Sequence, residues 1–178
     1  MGIAFEPVVP DVAEANDGEP EKLVVENARR KAAVGLRGAD EGAVALGVDT
    51  EVVLDGRALG KAADPDEARA HLEALSDRTH EVLSGVVLLG PRRPDGEPKE
   101  RSGVARSQVT FRELDAATLD LYLGSGEWRD RAGAYAIQGL GSILIERLEG
   151  DFSNVVGLPV GVLHDLAPEL FESPGPGV

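Results

Sequence analysis

Two periodicities of apolar and polar residues recur along the 178-residue chain. Apolar positions three and four residues apart predict helices at residues 21–36 and 65–75, and a further helix from Asp115 to about residue 123. A last helical segment is predicted from Asn154 towards residue 170. Pro20 and Asp64 suit the starts of the first two helices, because proline fits a first turn and aspartate accepts the free amides there.

Period-two runs that are rich in valine and leucine predict strands between these helices, at residues 43–48, 50–54, 79–89, 104–111 and 142–148. The proline-flanked residues 5–10 predict a short edge strand, and Gly85 indicates a bulge. Residues 90–102 are typical of a solvated hairpin loop. Because helices and strands interleave, we predict an α/β fold with a mixed sheet, as one domain through residue 172 with a disordered tail at 173–178.

Composition and charge narrow the classes of function. The chain has no cysteine, which excludes disulfides and thiolate metal sites. The net charge of −14 repels polynucleotides and anionic membranes, so we expect a small-molecule ligand and neither a nucleic acid polymer nor a membrane as partner. No signal peptide or membrane span is apparent, so we expect a cytoplasmic protein. A nucleotide site in so acidic a chain would need a divalent cation or local lysines.

The stretch with the clearest chemical content contains Asp49 and Thr50. If Asp55 and Gly56 form a two-residue hairpin loop, counting outwards places Thr50 opposite Lys61, and strict alternation places Asp49 on the other face of the strand. A carboxylate, an ammonium group and a hydroxyl group are what a phosphate–metal site requires. An ordinary ion pair on an edge strand would show the same pattern.

Two other polar residues lie in informative surroundings. Lys31 follows Val24 and Ala28 at helical spacing, so it lies on the apolar stripe and either reaches past its edge or points into a pocket. Gln138 lies in the glycine-rich run 131–141, where its amide could match the edge of a pyrimidine base or could simply be solvated in a turn. The three histidines lack metal-ligand spacing, and His80, at the start of a predicted strand, is interpreted as structural.

Several segments together resemble the Maf family, in the order in which the family has them. The similar segments are residues 5–14, 23–32, 47–61, 75–82, 132–141 and 150–159, within a match from about residue 2 to 170. The resemblance implies an ITPase-like α/β fold with a twisted sheet, flanking helices and two lobes around a cleft, usually in a homodimer. It also implies hydrolysis of a nucleoside triphosphate to the monophosphate and pyrophosphate with Mg²⁺ or Mn²⁺.

The resemblance implies roles for four residues in the chemistry of the phosphates. Asp49 matches the family's proton acceptor and would also contact the metal ion. Glu14 matches a second residue at the metal ion. Lys31 and Lys61 match residues around the phosphates. With these roles, water would attack the α-phosphorus in line with the leaving pyrophosphate.

The resemblance also bears on substrate choice and on an alternative function. Thr50 and Gln138 match positions linked to substrate choice, and residues 78–80 and 135–139 are similar to the branch that acts on dTTP and UTP. Family members usually begin with a strand, an arginine-rich phosphate loop and a helix, and the resemblance implies that this chain begins after them. The alternative is therefore a catalytically impaired nucleotide-binding protein with a regulatory role in cell division.

Overall fold

A computed structural model of the chain describes residues 3–37, 39–92 and 98–172. Its centre is a five-stranded sheet in the spatial order β2-β1-β3-β4-β5, formed by β1 (Ala45–Leu54), β2 (Arg57–Leu59), β3 (Thr79–Arg92), β4 (Pro98–Phe111) and β5 (Ile145–Glu149). The helices are α1 (Pro20–Gly35), α2 (Pro65–Leu75), α3 (Ala116–Ser125), α4 (Phe152–Val156) and α5 (Val160–Leu166), with 3₁₀ turns at Gly139–Leu144 and Pro168–Leu170. Within the described ranges, every helix is too short or too polar to span a membrane.

The predicted α/β class is confirmed, with two corrections. All strand pairs among the described residues are antiparallel, so the expected mixture of pair directions is wrong. Strands β2 and β3 run in the same direction, but β1 lies between them. The strand predicted at residues 5–10 is also wrong, because Pro7 and Pro10 have no amide to donate and Val9 is 94% exposed. The predicted tail at 173–178 lies outside the described residues.

The first two helices and the first hairpin form where their local signals predict them. Asp64 begins α2 by accepting a hydrogen bond from the amide of Glu67 at 2.9 Å. The Glu67 carboxylate in turn accepts from the amide of Ala63 at 2.8 Å. In the hairpin loop, Asp55 and Gly56 have φ values of 52° and 75°, the left-handed pair that a type I′ turn requires.

Several strand boundaries differ from the prediction. The runs at 43–48 and 50–54 form one continuous strand, β1, and much of the predicted loop at 90–102 belongs to the long hairpin of β3 and β4. Residues 93–97, between these two strands in sequence, lie outside the described residues. Residues 142–144 belong to a 3₁₀ turn, so β5 starts only at Ile145.

The predicted helix from Asn154 is wrong in both its start and its length. Asp151 begins α4 instead, by accepting from the amide of Ser153 at 2.7 Å, and a break after α4 separates it from α5. Asn154 itself is fully buried, and its amide nitrogen donates to the Val82 carbonyl at 3.0 Å and to Ser107 Oγ at 2.9 Å. Its role is therefore to fasten α4 to the sheet.

Helix α1 packs directly against the sheet at two glycines, one in β1 and one in β3. A Cβ atom at Gly47 would be 2.0 Å from the Ala28 carbonyl oxygen, and one at Gly85 would be 2.4 Å from that of Val24. The bulge predicted at Gly85 is wrong, since pairing continues in register through this residue on both sides. Glycine is required there because the backbone of the helix approaches so closely.

A buried histidine joins the core to the segment that follows α3. His80 is 2% exposed, its Nε2 is 2.8 Å from the Tyr135 hydroxyl, and its ring packs edge-on against Phe111 with 5.1 Å between centroids. Burial lowers the pKa of His80 to about 4. The interpretation of this residue as structural agrees with these contacts.

We expect Gly85→Ala to lower the free energy of unfolding by about 1–3 kcal/mol, because the added methyl group forces α1 away from the sheet. Urea unfolding followed by circular dichroism measures the change. Gly90→Ala in the same strand is the matched control, since a Cβ there would be 3.6 Å from its nearest neighbour. Equal stabilities of the two variants would contradict the close approach of α1.

We expect the stability that depends on His80 to be complete above pH 6.5 and to decrease as the pH falls towards 4. Its pKa is lower in the folded chain than the ordinary 6.5, so in this window the unfolded chain binds a proton that the folded chain does not. The loss approaches about 3 kcal/mol at pH 4. The difference in unfolding free energy between wild type and His80→Gln, measured against pH, should show this slope. A difference that stays constant between pH 6.5 and pH 4 would contradict the lowered pKa of His80.

Candidate active site

A cleft with a volume of about 360 Å³ opens beside the middle of β1. This volume is typical of sites for small molecules. The wall of the cleft contains all six residues that the sequence singled out: Glu14, Lys31, Asp49, Thr50, Lys61 and Gln138. The fold thus brings together side chains from five separate segments of the chain, while their chemical roles stay predictions.

Three charged groups meet at one end of the cleft. The Lys31 ammonium contacts Asp49 Oδ1 and lies 2.7 Å from Glu14 Oε1. The other oxygen of Asp49, Oδ2, accepts a hydrogen bond from the Asn27 side chain at 3.2 Å. Asp49 is buried and Lys31 is only 20% exposed. Of the two alternatives that the sequence left open for Lys31, the structure therefore has the one in which it points into a pocket.

The protonation of this group follows from its geometry. Burial by itself would lower the pKa of Lys31, but hydrogen bonds to Asp49 and Glu14 outweigh it and raise the pKa. The hydrogen bond from Lys31 lowers the pKa of Glu14, and the charges of Lys31 and Lys61 act in the same direction. This end of the cleft therefore contains the Lys31 ammonium group between the side chains of Glu14 and Asp49.

Asp49 and Thr50 point to opposite faces of β1, as strict alternation predicts. Asp49 faces α1, whereas the Thr50 hydroxyl group is 2.7 Å from Ser84 Oγ on β3. Both side chains still line the cleft, because it opens across the edge of the strand. The Asp49 carboxylate and the Thr50 hydroxyl group therefore both reach the cleft, although they lie on opposite faces of the strand.

Lys61 reaches the cleft by a route that differs from the prediction. The pairing of Lys61 with Thr50 is wrong, because β2 ends at Leu59 and Lys61 instead forms an isolated bridge with Ala132. The amide of Gly133 donates to the Leu59 carbonyl at 2.8 Å, which holds this part of the chain against the segment after α3.

Arg131 adds a second cation beside Lys61 on the cleft wall. Neither residue forms an ion pair within the described residues, in contrast to Lys31. Two exposed cations without a carboxylate partner are suited to bind phosphate oxygens. Their positive charges locally offset the net negative charge of the protein.

Gln138 begins the 3₁₀ turn Gly139–Leu144, but its side chain does not accept the free amides there. The carboxylate of Glu127 does so instead. Its two oxygens accept from the amides of Leu140 and Gly141, each at 3.1 Å. The side-chain amide of Gln138 forms no hydrogen bond within the described residues, so it is available to a ligand.

Sequence reasoning missed a third carboxylate in the cleft wall, that of Glu51. One of its oxygens, Oε2, is inaccessible to solvent and has no hydrogen-bond partner among the described residues. Burial, followed by the negative charges of Asp49 and Glu14, raises the pKa of Glu51 to about 7. A signal was present, since residues two apart on a strand face the same side. Asn27 was also missed, although it lies one turn before Lys31.

The residues of this cleft can supply part of a magnesium or manganese site. No cluster of three or more His, Cys, Asp or Glu residues that could hold a metal ion occurs in residues 3–37, 39–92 and 98–172. Glu14 and Asp49 do share contacts with one cation, the Lys31 ammonium. Two carboxylates with remaining positions for phosphate oxygens and water suit Mg²⁺, which seldom uses a cage made entirely of protein.

Comparison with known proteins identifies the family of this chain. The family model described as Maf-like protein matches residues 1–170. A dTTP/UTP pyrophosphatase of Deinococcus radiodurans is 42% identical over 92% of this chain and 80% of its own length. The enzymes with the same name from Thermococcus gammatolerans and Dictyoglomus turgidum are 41% and 40% identical, each over 93% of this chain and 85% of their length. The chain therefore belongs to the Maf family.

Proposed function

We propose that this chain hydrolyses dTTP and UTP to the nucleoside monophosphate and pyrophosphate. The observation that carries the proposal is the Lys31 ammonium held between Glu14 and Asp49, in a cleft that also contains Lys61 and Gln138. One end of the cleft has the charges that a triphosphate requires, and the Gln138 segment offers a free amide for a base. The names of the Deinococcus, Thermococcus and Dictyoglomus relatives support the same reaction.

Asp49 is the residue that we assign to activation of water. Its carboxylate is buried, and both of its oxygens are oriented by α1, one by Lys31 and the other by Asn27. A carboxylate fixed in this way can orient a water molecule and accept its proton as the oxygen attacks the α-phosphorus. General-base catalysis of this kind contributes about 10²–10⁴ in rate.

Lys31, Lys61 and Arg131 are assigned to the negative charge of the substrate. Charge increases on the bridging oxygen as the bond to pyrophosphate breaks, and preorganised cations stabilise it without further rearrangement. Lys61 and Arg131 are free to bind the terminal phosphates. Lys31 stays beside Asp49 and contacts its Oδ1.

Glu14 and Asp49 would hold the divalent cation of the proposed reaction, Mg²⁺ or Mn²⁺. When bound, such an ion screens the triphosphate and lowers the pKa of a bound water molecule. To bind the ion, both side chains must be ionised. The lowered pKa of Glu14 favours the ionised form of that residue.

Gln138 is assigned to the base. Its amide has a donor and an acceptor side by side, which matches the adjacent acceptor and donor on the edge of uracil or thymine. Thr50 lies elsewhere on the cleft wall and its hydroxyl group is shared with Ser84, so its influence on the substrate would act through the shape of the cleft.

The remaining expectations from the sequence stay proposals. These are a cytoplasmic homodimer, one domain through residue 172 and the absence of a polynucleotide partner. The alternative of an impaired nucleotide-binding regulator of cell division is not favoured, because the three relatives described above all carry the name of an enzyme.

We expect Asp49→Asn to lower kcat for dTTP and UTP by about 100-fold or more, because the amide cannot accept a proton from water. The assay measures pyrophosphate release with Mg²⁺ or Mn²⁺. Asp120→Asn, on α3 outside the cleft, removes the same charge and should retain wild-type turnover. If the folded wild-type chain releases no pyrophosphate from either nucleotide, the proposed function is wrong.

We expect Glu127→Gln to reduce the preference for dTTP over dCTP by about 10-fold, because the new amide group cannot accept from both turn amides and Gln138 loses its fixed position. The ratio of kcat/KM values for the two nucleotides measures this preference. Glu146→Gln on β5 is the control of equal charge. Adding Gln138→Ala to Glu127→Gln should reduce the ratio no further, and an additive loss would contradict the link between the two residues.

A further inference from the structure

We propose that Asn27 is a positioning residue that fixes the two metal-binding carboxylates, Glu14 and Asp49, relative to each other. The inference rests on the proposed function, since it concerns the same cleft. Asn27 itself does not line the cleft. It acts through a main-chain segment on one side and through Asp49 on the other.

Every hydrogen-bonding group of the Asn27 side chain is used, and the residue is 1% exposed. Its Oδ1 accepts from the Ala15 amide at 2.8 Å. Its Nδ2 donates to the Ala15 carbonyl at 3.0 Å and to Asp49 Oδ2 at 3.2 Å. An asparagine amide offers two donors and one carbonyl oxygen, and here both donors and the oxygen have a partner. The side chain thus pairs with Ala15 much as a neighbouring strand would.

The segment that carries Glu14 depends on these side-chain contacts. Residues 3–16 have no regular secondary structure. Within the described residues, no hydrogen bond between two main-chain groups joins this segment to the rest of the chain. Its attachment comes from one face of α1. Asn27 binds Ala15, Lys31 binds Glu14, and Arg30 Nη1 donates to the carbonyl next to Glu14, that of Ala13, at 3.0 Å.

The spacing of these three helix residues explains why they act together. Positions 27, 30 and 31 are three and four residues apart, so they lie on the same side of α1. Lys31 and Asn27 also contact different oxygens of Asp49. The helix therefore sets the position of Glu14 and of Asp49 from one rigid surface.

A neutral amide suits this position better than a second cation would. The hydrogen bond from Nδ2 orients the Asp49 carboxylate but leaves its negative charge intact for a metal ion or a proton. If the amide is removed, Ala15 and Asp49 lose their buried partner, and the two carboxylates are no longer held in one arrangement. We therefore expect a defect in metal binding in addition to a loss of stability.

The test compares Asn27→Leu with Asn154→Leu, because both replace a fully buried amide by an apolar group of similar volume. Asn154 binds Val82 and Ser107 and touches neither carboxylate, so it controls for lost stability alone. Circular dichroism and urea unfolding first establish that each variant is folded. If Asn27→Leu does not fold, Asn27→Ala replaces it with the same expected results.

Two measurements on the full chain then decide the inference. Electron paramagnetic resonance of free Mn²⁺, without nucleotide, should show at least about 10-fold weaker binding by Asn27→Leu and unchanged binding by Asn154→Leu. Amide hydrogen exchange at Ala15, a readout that needs no metal, should accelerate at least about 10-fold in Asn27→Leu only.

The outcomes separate the inference from the proposed function. Unchanged Mn²⁺ affinity in Asn27→Leu overturns the positioning role, and so does an equal loss of affinity in Asn154→Leu. Failure of the wild-type chain to bind Mn²⁺ contradicts the metal site of the proposed function. In that case exchange at Ala15 still decides whether Asn27 holds the Glu14 segment.

Discussion

The close contact of helix α1 with strands β1 and β3 sets the distance between the helix and the sheet, and the arrangement of the cleft depends on this distance. At Gly47 and Gly85 the helix backbone lies where a side chain would otherwise stand. Short helix–sheet separation brings Asn27 and Lys31 within hydrogen-bonding distance of Asp49. A larger residue at either glycine would move the helix away, and the ammonium group would no longer reach the buried carboxylate.

The arrangement of charge in the cleft reconciles the net negative charge of the chain with the proposed nucleotide substrate. A chain with a net charge of −14 repels nucleotides in general. Inside the cleft, two carboxylates are partly neutralised by Lys31, while Lys61 and Arg131 have no acidic partner within the described residues. In the proposed function, the carboxylates hold the divalent cation and the free cations bind the phosphates. Binding of a triphosphate with its metal ion is therefore compatible with an acidic surface elsewhere.

Two parts of the site, the segment of Glu14 and the residue Gln138, lie outside the helices and strands and depend on side chains from elsewhere. The Glu14 segment is attached by Asn27, Arg30 and Lys31 of α1. The turn that follows Gln138 is fixed by Glu127, more than ten residues earlier in the chain. In both cases a buried or partly buried polar group replaces the hydrogen bonds that a strand or a helix would provide.

Features with a local cause could be predicted from the amino-acid sequence. The first turn of α2 followed from Asp64 and Glu67, the hairpin loop from Asp55 and Gly56, and the opposite orientation of Asp49 and its neighbour from strand alternation. Family resemblance also identified six residues that the fold gathers in one cleft. The signals for the helix start, the hairpin loop and the strand alternation are readable because each involves residues within a few positions of one another.

Features that depend on partners distant in sequence became visible in the folded chain alone. Lys61 pairs with Ala132 and not with the strand that the hairpin register implied. Gly85 serves the approach of a helix and not a bulge, and Asn154 binds Val82 in the core where a helix cap was predicted. Residues 5–10 form no strand, although their pattern allowed one. At Lys61, Gly85 and Asn154, packing between elements far apart in sequence outweighs local preference, because burial and hydrogen bonding are satisfied only when the whole chain is folded.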